Sequence, residues 1–308
     1  MTSNAQGASS MNGVCILIPT LNEAESIGDV ITEFKNLGFR TILVIDGHST
    51  DATREIAERE GARVVVQDGK GKGTAVRQAF DLITDDVVVL IDGDGTYSPS
   101  EVSTLLAPIL TGEADHVIGN RFGFGGSFSP LHRFGNRALN KLFWLGYGIK
   151  LDDLLSGYRA LTKECMSKLD LKKEGFEIEA EMAIQSVKRG IRLKEVPITY
   201  QERKGKAKLN TFRDGFKILY TLYMLAKTHN PLFYFGILGT YFIIAGVLSG
   251  LYVVLEWYEG VTHELLTVFT ALLIISGVQF FMLGLIGDLM VTIQKETIEL
   301  LRDRVMKK

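Results

Sequence analysis

Two cysteines in 308 residues, Cys15 inside an apolar run and Cys165 far from it, are too few for a disulfide framework and lack the spacing of a metal cluster. Both read as small buried hydrophobes. No charge of one sign dominates either. Lys and Arg number 34 against 36 Asp and Glu, so no global field gathers nucleic acid, and any phosphate chemistry must rest on local clusters. The opening MTSNAQGASS has neither the basic segment nor the apolar core of a signal peptide, and residues 1–11 are expected to be a disordered leader. A G-x-x-x-x-G-K-[ST] phosphate loop is missing. The glycine run 69–73 is no dinucleotide fingerprint, because Thr74 and Val76 occupy the two positions open to a third glycine.

Charge is also absent from two long stretches. Leu232 to Leu255 gives 24 uncharged residues and Leu265 to Gly287 gives 23, each long enough at about 1.5 Å per residue to cross a hydrocarbon core of about 30 Å. A buried helix of a soluble core rarely needs more than about 14 such residues, so a transmembrane hairpin over 231–290 is expected. The loop Glu256 to Glu264 carries three glutamates and no Lys or Arg, while Lys217, Lys227, Lys295, Arg302 and Arg304 lie on the other side. The positive-inside rule then places the domain ahead of the hairpin, both termini and a C-terminal helix over 291–308 in the cytoplasm. Ahead of the hairpin, Phe212, Phe216, Leu219, Tyr220, Tyr223 and Met224 form one apolar helical face. A helix over 211–230 could lie in the membrane interface or pack on the soluble domain.

Residues 12–210 alternate β-branched runs with helical stretches. VCILIP, TILVID, ARVVVQ and DVVVLID read as strands, and helix starts follow Asn22, Ser49, Gly73 and Ser98. The expectation is an α/β domain with a mainly parallel sheet and ligands at the carboxyl ends of its strands.

Chemistry collects at those ends. Asp92-Gly93-Asp94-Gly95-Thr96-Tyr97 follows an apolar strand, and paired carboxylates there can hold Mg²⁺ or Mn²⁺ against a diphosphate. A calcium loop fails, since its first position would be Leu90 and a strand precedes it; a solvated acidic turn is the bland alternative. Gly69-Lys70-Gly71-Lys72-Gly73 could cradle phosphate or be a flexible basic turn. Arg121, Arg133, Arg137, Arg159, Arg203, Lys204, Lys206 and Lys208 are the basic complement. Glu177, Glu179 and Glu181 in FEIEAEM share a face if extended, but helix propensity favours an exposed helix, and no catalytic base is assigned.

In order, PTLNEAESI, DGHSTDAT, GKGTAVRQAF, DGDGTYSP, GNRF, DLLSGYRAL and VPITYQERKGKAKLN span nearly all of residues 14 to 210. This series resembles family 2 glycosyltransferases of the GT-A fold, in the dolichyl-phosphate and polyprenyl-phosphate branch, whose members also carry a C-terminal two-helix hairpin. The resemblance implies that Pro19, Leu21, Glu23 and Asp46 contact the nucleoside and Lys72 its diphosphate. Asp92 and Asp94 would hold the metal. It also implies that Asp94, Asp153 and Arg121 serve catalysis, and that Arg121, Arg137, Ser156, Arg159, Arg203 and Lys208 grip an acceptor phosphate. Gly47 departs from the DDxSxD pattern, and DGDGT replaces the DADLQ common in mannosyl enzymes, so a UDP-linked glucose or N-acetylglucosamine competes with GDP-mannose as donor.

The implied reaction is inverting transfer of a sugar from a nucleotide-sugar to dolichyl or polyprenyl phosphate at the bilayer, with homo-oligomerisation left open. Rival readings are transfer to a sugar hydroxyl and a non-catalytic nucleotide-sugar sensor. A solute carrier fails because no charge interrupts either apolar stretch, Asp288 standing only at the end of the second.

Overall fold

The computed structural model describes residues 13–122, 130–201, 220 and 231–306. The expected leader, the amphipathic segment 211–230 apart from Tyr220, and Arg203, Lys204, Lys206 and Lys208 lie outside the described residues. The chain divides into two compact units, Met1–Leu219 and Tyr220–Lys308.

The first unit is built on a seven-stranded sheet of order β3-β2-β1-β4-β6-β5-β7. The strands are β1 Val14–Thr20, β2 Thr41–Asp46, β3 Arg63–Val66, β4 Val87–Leu90, β5 His116–Asn120, β6 Arg159–Thr162 and β7 Leu193–Pro197. Strands β1 to β4 pair in parallel, as do β5 and β7, while β6 runs antiparallel between β4 and β5. The four runs expected as strands are β1 to β4. All four residues of β4 are buried, as a central strand covered on both faces requires.

Period-two alternation sends neighbouring side chains to opposite faces. Ile16, Ile18, Val44 and Val89 join one core with Ile27, Val30, Ile31 and Phe34 of helix α1 (Ile27–Asn36). That spacing is one stripe of a 3.6-residue helix. Leu17, Leu43, Ile45, Val88 and Leu90 join a second core with Ala75, Val76 and Ala79 of α3 (Lys72–Leu82) and Met182 of α7 (Ile178–Lys188). Between these come α2 (Thr53–Arg59), α4 (Val102–Leu110), α5 (Pro130–Tyr147) and α6 (Lys163–Lys168). The register pairs Thr20 with Asp46 and Leu17 with Leu90, so the turns after β1, β2 and β4 emerge together at one edge.

The second unit is a helical hairpin, α8 (Pro231–Tyr258) and α9 (Glu264–Met306). Its helices touch through small residues: a Cβ on Gly239 would stand 2.7 Å from the Gly277 carbonyl, and one on Gly277 2.8 Å from that of Gly239. Ser249 and Thr270 share a hydrogen bond of 2.7 Å across the pair. Val247, Leu248 and Leu251 of α8 and Leu272, Ile275 and Val278 of α9 are exposed. Both helices are long and apolar enough to cross a membrane, and only 11% and 17% of their most apolar windows are buried, so they are not core helices of this unit. The expected separate helix over 291–308 is not a separate element, because α9 continues unbroken past residue 290 to Met306.

Candidate active site

At the β1 and β2 ends the two loops are knitted by side chain to backbone bonds. The Asn22 amide donates to Ser49 Oγ at 2.8 Å, the Thr50 amide to Asn22 Oδ1 at 2.7 Å, and the Glu23 amide to Thr53 Oγ1 at 2.8 Å. Asn22 and His48 hold φ of 50° and 66°, strain that clusters where a ligand or its loop must be approached. Pro19 and Glu23 are half-buried and Leu21 is exposed, so all three border this edge. Asp46 is withdrawn from it. Its carboxylate is fully buried: Oδ2 accepts the Ser49 amide at 2.9 Å and lies 3.8 Å from Arg54 Nε, while Oδ1 has no hydrogen-bond partner.

The Asp92–Tyr97 turn leaves β4 beside these loops. Ser26 Oγ donates to the Gly93 carbonyl at 2.7 Å, pinning the turn to the loop after β1. Asp94 Oδ1 accepts both the Thr96 amide, at 3.1 Å, and the Thr96 hydroxyl, at 2.6 Å. Thr96 is therefore an orienting group for Asp94. The two carboxylates fit a hard divalent cation completed by substrate oxygens and water, the arrangement Mg²⁺ adopts with one or two carboxylates. Among the described residues no group of three or more protein ligands forms a closed cage.

Lys72, at the start of α3, reaches into the same turn. Its ammonium lies 2.5 Å from Asp92 Oδ1 and 2.6 Å from Glu179 Oε1. Burial opposes this charge, but Asp92 and Glu179 outweigh it and raise the Lys72 pKa above the ordinary lysine value. FEIEAEM is helical from Ile178 onward, as propensity indicates, yet not exposed: Glu179 and Glu181 are both 3% exposed. Glu181 Oε2 accepts the Lys172 and Lys173 amides, each at 2.9 Å. The loop so held packs on the lysine turn, where the Gly73 amide donates to the Glu174 carbonyl at 2.8 Å and a Cβ on Gly73 would collide with the Lys173 carbonyl.

Beyond β5, Arg121 and Asp153 form a bidentate pair, Nε to Oδ2 at 2.6 Å and Nη2 to Oδ1 at 2.7 Å, while the Arg121 amide adds a bond of 3.0 Å to Oδ2. Asp153 also accepts from Asn136 Nδ2 at 3.1 Å. Its backbone is fixed by Glu195 of β7, which accepts the Asp152 and Asp153 amides at 2.8 Å each. Tyr97 and Asp153 raise the Arg121 pKa further although burial opposes it, and the guanidinium stands 5.3 Å over the Tyr200 ring.

Three of the expected site residues are wholly buried. Asp153 is wholly buried with both oxygens engaged, so it positions Arg121 and offers no carboxylate to a reactant. Arg159 is fully buried on β6 and donates to the Ser156 and Leu154 carbonyls at 2.8 and 2.7 Å, so it builds the 151–158 segment instead of gripping an acceptor. Burial lowers its pKa to about 10. Ser156 is also wholly buried, its hydroxyl enclosed and without a partner.

Arg137 stands apart from these. With Arg133, Lys141 and Lys150 it lines a groove of about 780 Å³ beside α5, and Trp144 supplies an apolar wall 48% exposed. Asp152 is the lone carboxylate among the lining residues. The segment 151–158 joins this groove to the acidic turn: Leu151 and Asp152 line the groove, and a Cβ at Gly157 would lie 2.6 Å from Asp92 Oδ2 and 3.0 Å from Lys72 Nζ. Asn136, Asn140 and Glu195 are not singled out as site residues by sequence, since single polar residues on helices and strands carry no motif, and Glu179 enters there only as a base that is not assigned.

A mainly parallel sheet with an acidic turn after a central strand and a basic groove in the same unit is the arrangement of a GT-A-type α/β domain. Residues 15–169 match the model described as "Glycosyl transferase family 2", and the chain belongs to that family. Residues 230–293 match the "GtrB C-terminal hairpin". Glycosyltransferase AglJ of Haloferax volcanii is 46% identical, covering 92% of this chain and 96% of the relative. The dolichyl-phosphate hexose transferase of the same organism is 34% identical over 67% of this chain and 90% of its own length. Glucosyl-3-phosphoglycerate synthase of Mycobacterium tuberculosis, solved with Mn²⁺, UDP-glucose and phosphoglyceric acid, superposes with a TM-score of 0.60 at 25% identity, covering 71% of this chain and 81% of that one.

Proposed function

We propose that this chain transfers a hexose or N-acetylhexosamine from a nucleotide-sugar to the phosphate of a dolichol or polyprenol at the cytoplasmic face of a membrane. The observation that carries the reading is the 151–158 segment, with the acidic turn at one end and a groove of four cations at the other. A donor diphosphate suits the first and an anionic acceptor the second. The activity for which the Haloferax hexose transferase is named supports the lipid phosphate, and the apolar hairpin supports its delivery from a bilayer.

Pro19, Leu21 and Glu23 border the nucleoside, and Asp92 and Asp94 are the ligands of a divalent cation that, when bound, supplies positive charge to the departing diphosphate. Arg121, held by Asp153, and Arg137 in the groove receive the acceptor phosphate. One phosphate oxygen forms the new bond to the anomeric carbon as the bond to the diphosphate oxygen breaks, inverting that carbon. A phosphate monoester, with a second pKa of about 6, is already an anion at neutral pH and needs no general base. That agrees with Glu179 and Asp153 being engaged in ion pairs. The work falls to positioning and electrostatics.

The test is transfer from a panel of radiolabelled UDP- and GDP-sugars to dolichyl phosphate with Mn²⁺ or Mg²⁺ and a chelator control. One chelator-sensitive glycolipid is expected. Measurable donor binding without any glycolipid would defeat the proposal in favour of another acceptor or a sensor.

A further inference from the structure

Lys72 is one cation between two carboxylates, and only one of these belongs to the acidic turn. Its ammonium is shared between Asp92 and Glu179, with 9% of its side chain exposed against 28% for Asp92 and 4% for Glu179. An ammonium on Asp92 competes with any divalent cation for that carboxylate, and two cations on one carboxylate repel. Something must hold Lys72 when Asp92 is taken. Glu179 is built to do so: its Oε2 is buried and has no hydrogen-bond partner, while a lysine ammonium has three donors to place. A bond given up at Asp92 can therefore be remade on the same Glu179 carboxylate with little movement. The first turn of α7 fixes that carboxylate from below, since Ile178 and Met182 on either side of it are core residues and Glu181 anchors the adjoining loop.

We infer that Glu179 is a positioning residue for the cation site: it takes Lys72 off Asp92 as the divalent cation binds and so sets the affinity of that site. The inference rests on Asp92 and Asp94 being the cation ligands. Without the Glu179 charge, Lys72 has Asp92 alone and stays on it. The cation then faces a competitor and a site with one negative charge fewer.

The experiment is direct Mn²⁺ binding to the full chain in detergent, followed by electron paramagnetic resonance of the free ion without donor or acceptor, with thermal melting in chelator as the control for folding. Glu179→Gln is expected to weaken Mn²⁺ binding about tenfold, the lower end of what outer-shell partners of metal ligands contribute. Adding Lys72→Met to it removes the competitor and is expected to restore the affinity, although a second native contact has gone. Glu179→Asp, which keeps the charge and withdraws it by one methylene, is expected to fall between wild type and Glu179→Gln. Loss through a loosened α7 would be deepened, not repaired, by Lys72→Met, and that result overturns the inference, as does a Glu179→Gln affinity equal to wild type. Wild-type binding indifferent to Asp94→Asn would instead remove the cation-site reading beneath it.

Discussion

Along the edge made by β1, β2 and β4, polar groups are consumed by the protein itself, whereas the groove beside α5 turns its charges outward. Asp94 is held by Thr96, and the turn beside it by Ser26. Arg133, Arg137, Lys141 and Lys150 are exposed around the groove. Preorganised dipoles and charges are what stabilise a leaving diphosphate, because they need not reorient as charge develops. Exposed, flexible cations suit a phosphate that arrives on a mobile chain in many approach directions, and they act as a field more than as a template. The donor side should therefore fail sharply when one atom is changed, and the acceptor side gradually.

The sharpest break is Asp94→Asn. The amide keeps an oxygen to accept from Thr96 but removes the charge that faces the cation, so transfer is expected to fall about a thousandfold, on the scale of losing one strong electrostatic stabiliser. The melting temperature should stay within a few degrees of wild type. Initial-rate kinetics with saturating donor, beside a thermal melt, check both; an active variant would remove Asp94 from the metal.

A smaller effect, on the other side of the comparison, is expected from Arg137→Ala. Removing one of four cations from an open groove should raise the acceptor KM about tenfold, with kcat and the donor KM little changed. Added salt should narrow the gap between variant and wild type, because exposed charges are screened over about 10 Å at 0.1 M. A fall in kcat at unchanged acceptor KM would place Arg137 in the transition state and make the groove as strict as the acidic turn.

The contrast between the two sides also decided what could be read without coordinates. Strands β1 to β4 and the acidic turn are local: an apolar β-branched run ends and its ligand residues follow at once, as at Val87–Leu90 and Asp92. The helix carrying Glu179 was equally legible as a helix, but its burial was not, because the reason lies in Lys72 on another element. Asp153 and Arg159 mislead for the same cause. A motif gives the chemical type of a residue, and only the packing of α5, β6 and β7 says whether its charge faces a reactant or a carbonyl inside the fold. Arg137 sits on an exposed helix face and lines the groove, a placement that the basic residues of the sequence do not give by themselves.

Beneath both sides lies one support whose titration gives the smallest predicted effect. His116 of β5 is fully buried; its Nδ1 lies 2.8 Å from Ser186 Oγ and its Nε2 3.4 Å from Arg159 Nη1. Ser186 Oγ donates to the Met182 carbonyl at 2.9 Å, so it accepts from His116, which assigns the proton to Nδ1 and leaves Nε2 to face the guanidinium. A second proton would set imidazolium against Arg159, and burial together with that arginine holds the His116 pKa well below its ordinary 6.5. In the unfolded chain the imidazole binds a proton as pH falls through that value, while in the folded chain it does not. The stabilisation is therefore complete above about pH 6.5 and is lost progressively below it, until the folded imidazole itself titrates. Melting temperatures at pH 7.5 and 5.5 are expected to fall by a few degrees more in wild type than in His116→Gln. Equal falls would mean that the buried imidazole is not the group that couples stability to acid over this range.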